Sequence, residues 1–331
     1  MTSRFSIDPF LIKLLIAIVL ASLLPAHGVG ATIFSWAASL AIALLFFLHG
    51  ARLSRGAIIA GAGHWRLHAS IFSITFLVFP ILGLLIGPVF GGYLTPDLYT
   101  GVLFLCCLPA TVQSAIAFTA IARGNVPAAI CSASASSLLG VFLTPVLTGL
   151  VLAGTNTASA SLSTDTLGKI MLQLLLPFVL GHLARPLIGT WVVKRNRLLK
   201  HVDQGSILLV VYSAFSAAVI GGLWSSTPPS ALLALLAVSL VLLGLVMGAT
   251  QLLGRFMHFG LEDRIALLFC GAKKSLSSGI PIANILFAGH AVGAIVLPLM
   301  IFHQIQLIVC AIIAGMYARR TLVAEPSPSR V

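Results

Sequence analysis

From Phe10 to about Arg320 the chain is built of long apolar runs separated by short polar stretches. Each run approaches the roughly 20 residues that a helix needs to cross the hydrocarbon of a bilayer. The runs are too long and too evenly apolar for the alternating pattern of barrel strands, so they read as helices. Ten such segments are expected, starting near Pro9, Ala31, His68, Pro96, Val126, Thr166, Ser206, Pro229, Glu262 and Ala291. The predicted fold class is therefore an all-α membrane protein: one ten-helix transmembrane unit over residues 1–320 and a short cytoplasmic tail over 321–331.

Composition sharpens that picture. Of 331 residues, 59% are hydrophobic and 8% charged, against about 25% charged in soluble domains. A soluble enzyme, a disordered chain and a nucleic-acid binder are excluded, although the net charge is +12. That charge belongs to loops. Arg4, Arg52, Arg55, Arg66, Arg123, Arg185, Lys194, Arg195, Arg197, Lys200, Arg255, Arg264, Arg319, Arg320 and Arg330 all fall at the termini or in even-numbered connections. The odd connections, around Gly28, Gly92, Thr155, Ser226 and Gly289, carry no lysine or arginine. Cytoplasmic loops collect cations, so both termini are expected in the cytoplasm, with the chain in the plasma membrane. Two basic stretches, Arg52 to His68 with Trp65 and Arg185 to His201 with Trp191, read as short helices lying among lipid headgroups. Cys106, Cys107, Cys131, Cys270 and Cys310 sit inside apolar runs and read as small packing residues, with no metal or disulfide spacing.

Ten segments divide into five and five, and an odd number per half inverts the second half relative to the first. The repeats would span about 9–152 and 166–319. At an offset of 165 Asp97 falls on Glu262, Phe104 on Phe269 and Gly124 on Gly289, so the fourth segment aligns with the ninth. Both are interrupted. The fourth holds Leu108-Pro109-Ala110-Thr111-Val112-Gln113-Ser114, where Pro109 lacks an N–H. The ninth holds Gly271 to Pro281, including Lys273, Lys274, Ser275, Ser277 and Ser278. Paired interruptions of this kind point to the central site of a transporter, because irregular backbone at that depth must be enclosed by protein or line a cavity.

The two lysines carry the chemistry. A charge at mid-bilayer costs about 2.5–3.5 kcal/mol on insertion scales. Every acid (Asp8, Asp97, Asp165, Asp203, Glu262, Asp263, Glu325) reads as a span end or loop, leaving no carboxylate to pair with them. Backbone carbonyls at a half-helix end, an anionic substrate or loss of a proton would each compensate an ammonium. Successive helical residues point about 100° apart, so one lysine is expected at the site and the other snorkelling or bonded to backbone. Which is which stays open. In the fifth segment, Ser132, Ser134, Ser136 and Ser137 either line the site or pack helices closely. Gln304 and Gln306 follow His303 in the tenth.

The stretches Pro109 to Thr119, Ala122-Arg123-Gly124-Asn125 and Lys274 to Pro281, with the ten-segment layout, resemble the bile acid:sodium symporter superfamily. Within it the chain is most similar to a divergent bacterial branch related to the seventh member of the vertebrate solute carrier 10 family. The resemblance implies a panel domain and a core domain, with broken fourth and ninth helices crossing at their breaks. It implies ion sites beside the crossing, near Thr111, Gln113, Ser114 and Ser136 or Ser137. Better-studied symporters carry a sodium-binding glutamate in the ninth segment and then Gln-Asn-Ser-Gly. This chain has Ala272 or Lys273 near the acid's place and Leu276-Ser277-Ser278-Gly279 for the run, and it lacks the fourth-segment Ser-Asn pair in register. The coupling ion, Na+ or H+, is therefore left open, and no other cofactor is expected.

The expected function is alternating-access transport of a small or amphipathic organic anion. Lys273 or Lys274 would supply counter-charge or carry a proton, and Thr111, Gln113, Ser114, Ser277 and Ser278 would supply neutral polar groups. Membrane lipid is the other expected partner. The rival readings are a regulator of ion homeostasis with little transport of its own, as relatives linked to calcium handling imply, and a membrane enzyme using His49, His182 or His303 as a base.

Overall fold

A computed structural model of the chain describes residues 9–52, 62–154, 164–288 and 290–324, and all regular structure among them is helical. The α-helices of nine or more residues are α1 (Pro9–Leu23), α2 (Gly28–Arg52), α3 (Trp65–Ser73), α4 (Phe79–Phe90), α5 (Pro96–Cys107), α6 (Gln113–Ile121), α7 (Val126–Ala153), α8 (Thr164–Lys194), α9 (Asn196–Ile220), α10 (Pro229–Phe256), α11 (Leu261–Gly271), α12 (Leu276–Leu286) and α13 (Val292–Ala324). A π-helical segment, Ile74–Val78, joins α3 to α4 without a gap. Among the described residues, seven helices are long and apolar enough to cross a bilayer: α2, the α3–α4 rod, α7, α8, α9, α10 and α13. The other apolar stretches are the 15-residue α1 and two pairs of half-length helices, α5–α6 and α11–α12.

The helices pack as two groups. One contains α1, α2, α8 and α9; the other contains α3 to α7 and α10 to α13. Within the first, α2 and α8 touch backbone to backbone. A Cβ on Gly50 would strike the Phe178 carbonyl, and one on Gly181 the Phe47 carbonyl. In lipid, where tails are as apolar as side chains, such close approach is what holds helices together. In the second group large rings fill the interior: Phe104 meets Phe287 edge-on at 5.4 Å between centroids, and Phe79 meets Phe302 at 6.1 Å. Leu23, Trp36, Leu40, Leu187 and Phe256 point outward, as a hydrocarbon surround permits.

Two expectations change. The basic stretch around Trp191 is not a separate interfacial helix: α8 runs on to Lys194 and α9 begins at Asn196, with only Arg195 between them. A run of good helix formers lets the two long helices extend until they meet. The other basic stretch falls partly outside the described residues, and Trp65 opens α3 as an exposed residue. The breaks are also shorter than the sequence suggests. They occupy Leu108 to Val112 and Ala272 to Ser275, while Gln113, Ser114, Ser277, Ser278 and Pro281 already lie in helices.

Candidate functional site

Breaking a helix strands its last carbonyls and the next N–H groups, and each needs a partner at this depth. The first break is accounted for by side chains from other elements. Pro109 offers no N–H, and the Ala110 N–H donates instead to Ser136 Oγ on α7 (3.1 Å). The Cys107 carbonyl accepts from Thr144 Oγ1, also on α7, at 3.0 Å. The carbonyls of Cys106 and Leu108 both accept from Lys274 Nζ, at 2.8 and 2.7 Å. The two breaks meet directly, because the Ser275 N–H donates to the Pro109 carbonyl at 2.9 Å.

Lys274 has a third acceptor, the Thr75 carbonyl, at 2.8 Å. That carbonyl is free for a traceable reason. The Phe79 N–H bonds Ile74 in the π register, and Pro80, the next candidate donor, has none. Three N–H donors thus meet three orphaned carbonyls, and the ammonium also sits 4.0 Å over the Phe79 ring. The Lys274 backbone is clipped in turn by Gln306 on α13. Its Oε1 accepts from the Lys274 N–H at 2.8 Å, and its Nε2 donates to the Lys274 carbonyl at 2.9 Å. Ser275 caps α12, its hydroxyl accepting the Ser278 N–H at 3.2 Å.

Lys273 points elsewhere. Its Nζ donates to Ser114 Oγ at 2.7 Å, and Ser114 Oγ donates on to Thr111 Oγ1 at 2.9 Å. The ammonium lies 4.2 Å over the Phe118 ring. Both lysines are 0% exposed, and among the described residues no carboxylate lies within ion-pair reach of either.

A cavity of about 560 Å³ lies between the two helix groups, within the 300–1,000 Å³ range of small-molecule sites. Of the residues singled out in the sequence, Thr111, Gln113, Ser114, Ser137, Ser275, Ser277 and Ser278 line it. Pro109, Ser136, Lys273 and Lys274 do not; they stand behind the wall that those residues form. The fifth-segment serines divide by helix face: Ser134 and Ser137 open on the cavity, while Ser132 and Ser136 are fully buried. Ser132 Oγ is 2.6 Å from His68 Nδ1. The facing wall comes from α1, α2, α8 and α9 and brings Phe46, His49, Arg52, Phe178, Lys200, Asp203 and Ile207. Arg52 and Asp203 form an ion pair. The sequence reading missed this pair because the partners are 151 residues apart and each reads as a loop charge. Pro80 is the sequence signal for the third carbonyl, and Gln306 for the clip on the Lys274 backbone.

Residues 8–319 match the SBF-like CPA transporter family. The chain is 56% identical to "Uncharacterized protein PA2026" of Pseudomonas aeruginosa, over 96% of this chain and 95% of that protein. It is 55% identical to "Putative symporter YfeH" of Escherichia coli K12, over 95% and 94%. Rat sodium/bile acid cotransporter 7 is 27% identical over 92% and 90%. With its long apolar helices, the chain is a multi-pass membrane transport protein, not an enzyme, and it belongs to the SBF-like CPA transporter family.

Proposed function

We propose that the chain is a secondary transporter of a small or amphipathic organic anion in which a buried lysine ammonium stands where a coupling cation would otherwise bind. The observation that carries this is Lys274 Nζ on three backbone carbonyls at the junction of two broken helices, with no carboxylate beside it among the described residues. Carbonyl oxygens of interrupted helices are the usual seats of coupling ions in transporters. Here a covalently tethered cation takes such a seat. The α5–α6 and α11–α12 pairs count as one span each; with α1 and the seven long helices they make ten, in two inverted repeats of five. Both termini then face the cytoplasm of the inner membrane, by the distribution of cations.

The cavity between the two helix groups holds the substrate, and rocking of one group against the other exposes it to alternate sides. Thr111, Gln113, Ser114, Ser137, Ser275, Ser277 and Ser278 offer it neutral donors and acceptors. Pro109 and Ser136 shape the break behind them. Lys273 reaches the cavity only through Ser114 and Thr111, so its charge is felt by whatever occupies the site. Uptake and counterflow in proteoliposomes, with a sodium gradient, with a pH gradient and with neither, test this. Transport that needs no sodium is expected; transport driven by sodium alone overturns the lysine-for-cation reading.

A further inference from the structure

If the cavity carries an anion, neither buried lysine touches it directly, since neither reaches the wall. We infer that Arg52 binds the negative head of the substrate and that Asp203 holds it in place to do so; this rests on the transport reading above. Among the described residues the formally charged side chains on the cavity wall are Arg52, Lys200 and Asp203, which together leave one positive charge. That balance suits a monoanion.

The guanidinium is only partly used. One Nη donates to Asp203 Oδ2, while among the described residues the buried Nε and the other Nη have no partner, nor has Asp203 Oδ1. The Arg52 side chain retains 24% exposure, so it is neither sealed in the protein nor free in solvent. A guanidinium presents parallel N–H groups whose spacing matches the oxygens of a carboxylate or sulfonate. A single Asp203 contact fixes the fork and leaves donors over.

The surroundings grade away from this charged end. On α9, Lys200, Asp203, Gln204 and Ile207 share one face by their spacing. On α2 the lining runs back from Arg52 through His49 to Phe46 and Leu45, about 10 Å along the axis. The matching ligand has an oxyanion head at Arg52 and an apolar body along Phe46, Leu45 and Ile207.

The test uses the purified full-length protein and four probes of one shape: 2-naphthoate, naphthalene-2-sulfonate, 2-naphthol and 2-naphthylmethylammonium. In thermal-shift titrations the two anions should stabilise the wild type, and the alcohol and the ammonium should not. The paired change Arg52→Gln with Asp203→Asn removes both charges without leaving either unpaired, which protects folding. It should weaken anion binding by about tenfold or more and abolish the preference for anions, with Arg52→Lys falling between. Wild-type anion affinity in the paired variant, or no anion preference in the wild type, overturns the inference. Naphthoate uptake into proteoliposomes separates this from the parent reading. Selective binding without uptake removes transport and keeps the Arg52 site, whereas uptake untouched by the paired change does the reverse.

Discussion

Lys273 and Lys274 are adjacent in sequence and equally enclosed, yet they belong to different regions of the molecule. Around Lys274 every ammonium proton has a backbone oxygen, drawn from the π segment and from the first break. Around Lys273 one proton has a hydroxyl, and that hydroxyl lies on the cavity wall. In the first region the charge is part of the framework that allows two helices to stop at mid-depth. In the second it is attached to the cavity wall through Ser114. Burial alone therefore does not mark a functional cation; what answers its protons does.

The largest effect is expected from Lys274→Met, which strands three carbonyls away from water. Stability should fall by about 3 kcal/mol or more, read as a lowered melting temperature of the purified protein. Gln306→Leu comes next, because it removes both clips on the Lys274 backbone; about 2 kcal/mol is expected in the same melt. Ser136→Ala leaves only the Ala110 N–H unanswered and should cost about 1 kcal/mol. Lys273→Met should change melting least, by about 1 kcal/mol or less in either direction, since it removes a desolvated charge along with its one hydrogen bond. Its signature is expected in transport, as loss of the response to a pH gradient. Should Lys273→Met melt as low as Lys274→Met, the distinction between the two regions is gone.

Much of this was legible in the chain. The interruptions announced themselves through Pro109 and through two lysines in an apolar run, and they lie within the stretches Leu108 to Ser114 and Gly271 to Pro281. Their lengths were overestimated because Ser, Gly and Pro read as breakers wherever they occur. Ser277 and Ser278 instead occupy the first turn of α12, where Ser275 caps the helix and its orphan N–H groups take up hydroxyls. The division of labour between the lysines was not legible. It depends on a π register set by Pro80 some 190 residues upstream, and no local pattern around Lys274 records that. Arg52 and Asp203 escaped for the same reason. Each looks like an ordinary loop charge until α2 and α9 are laid side by side.

The three-carbonyl contact of Lys274 has a mechanical consequence. It ties α11–α12 to α5 and to the α3–α4 rod through a single tethered atom, and the Ser275–Pro109 bond repeats the tie. A detachable ion would let that joint loosen once per cycle; a rivet fixed to the chain does not. On the alternating-access reading proposed above, the interrupted helices would travel as one block, with the sliding surface across the cavity, where α12 and α13 meet α9 and α7 meets α8.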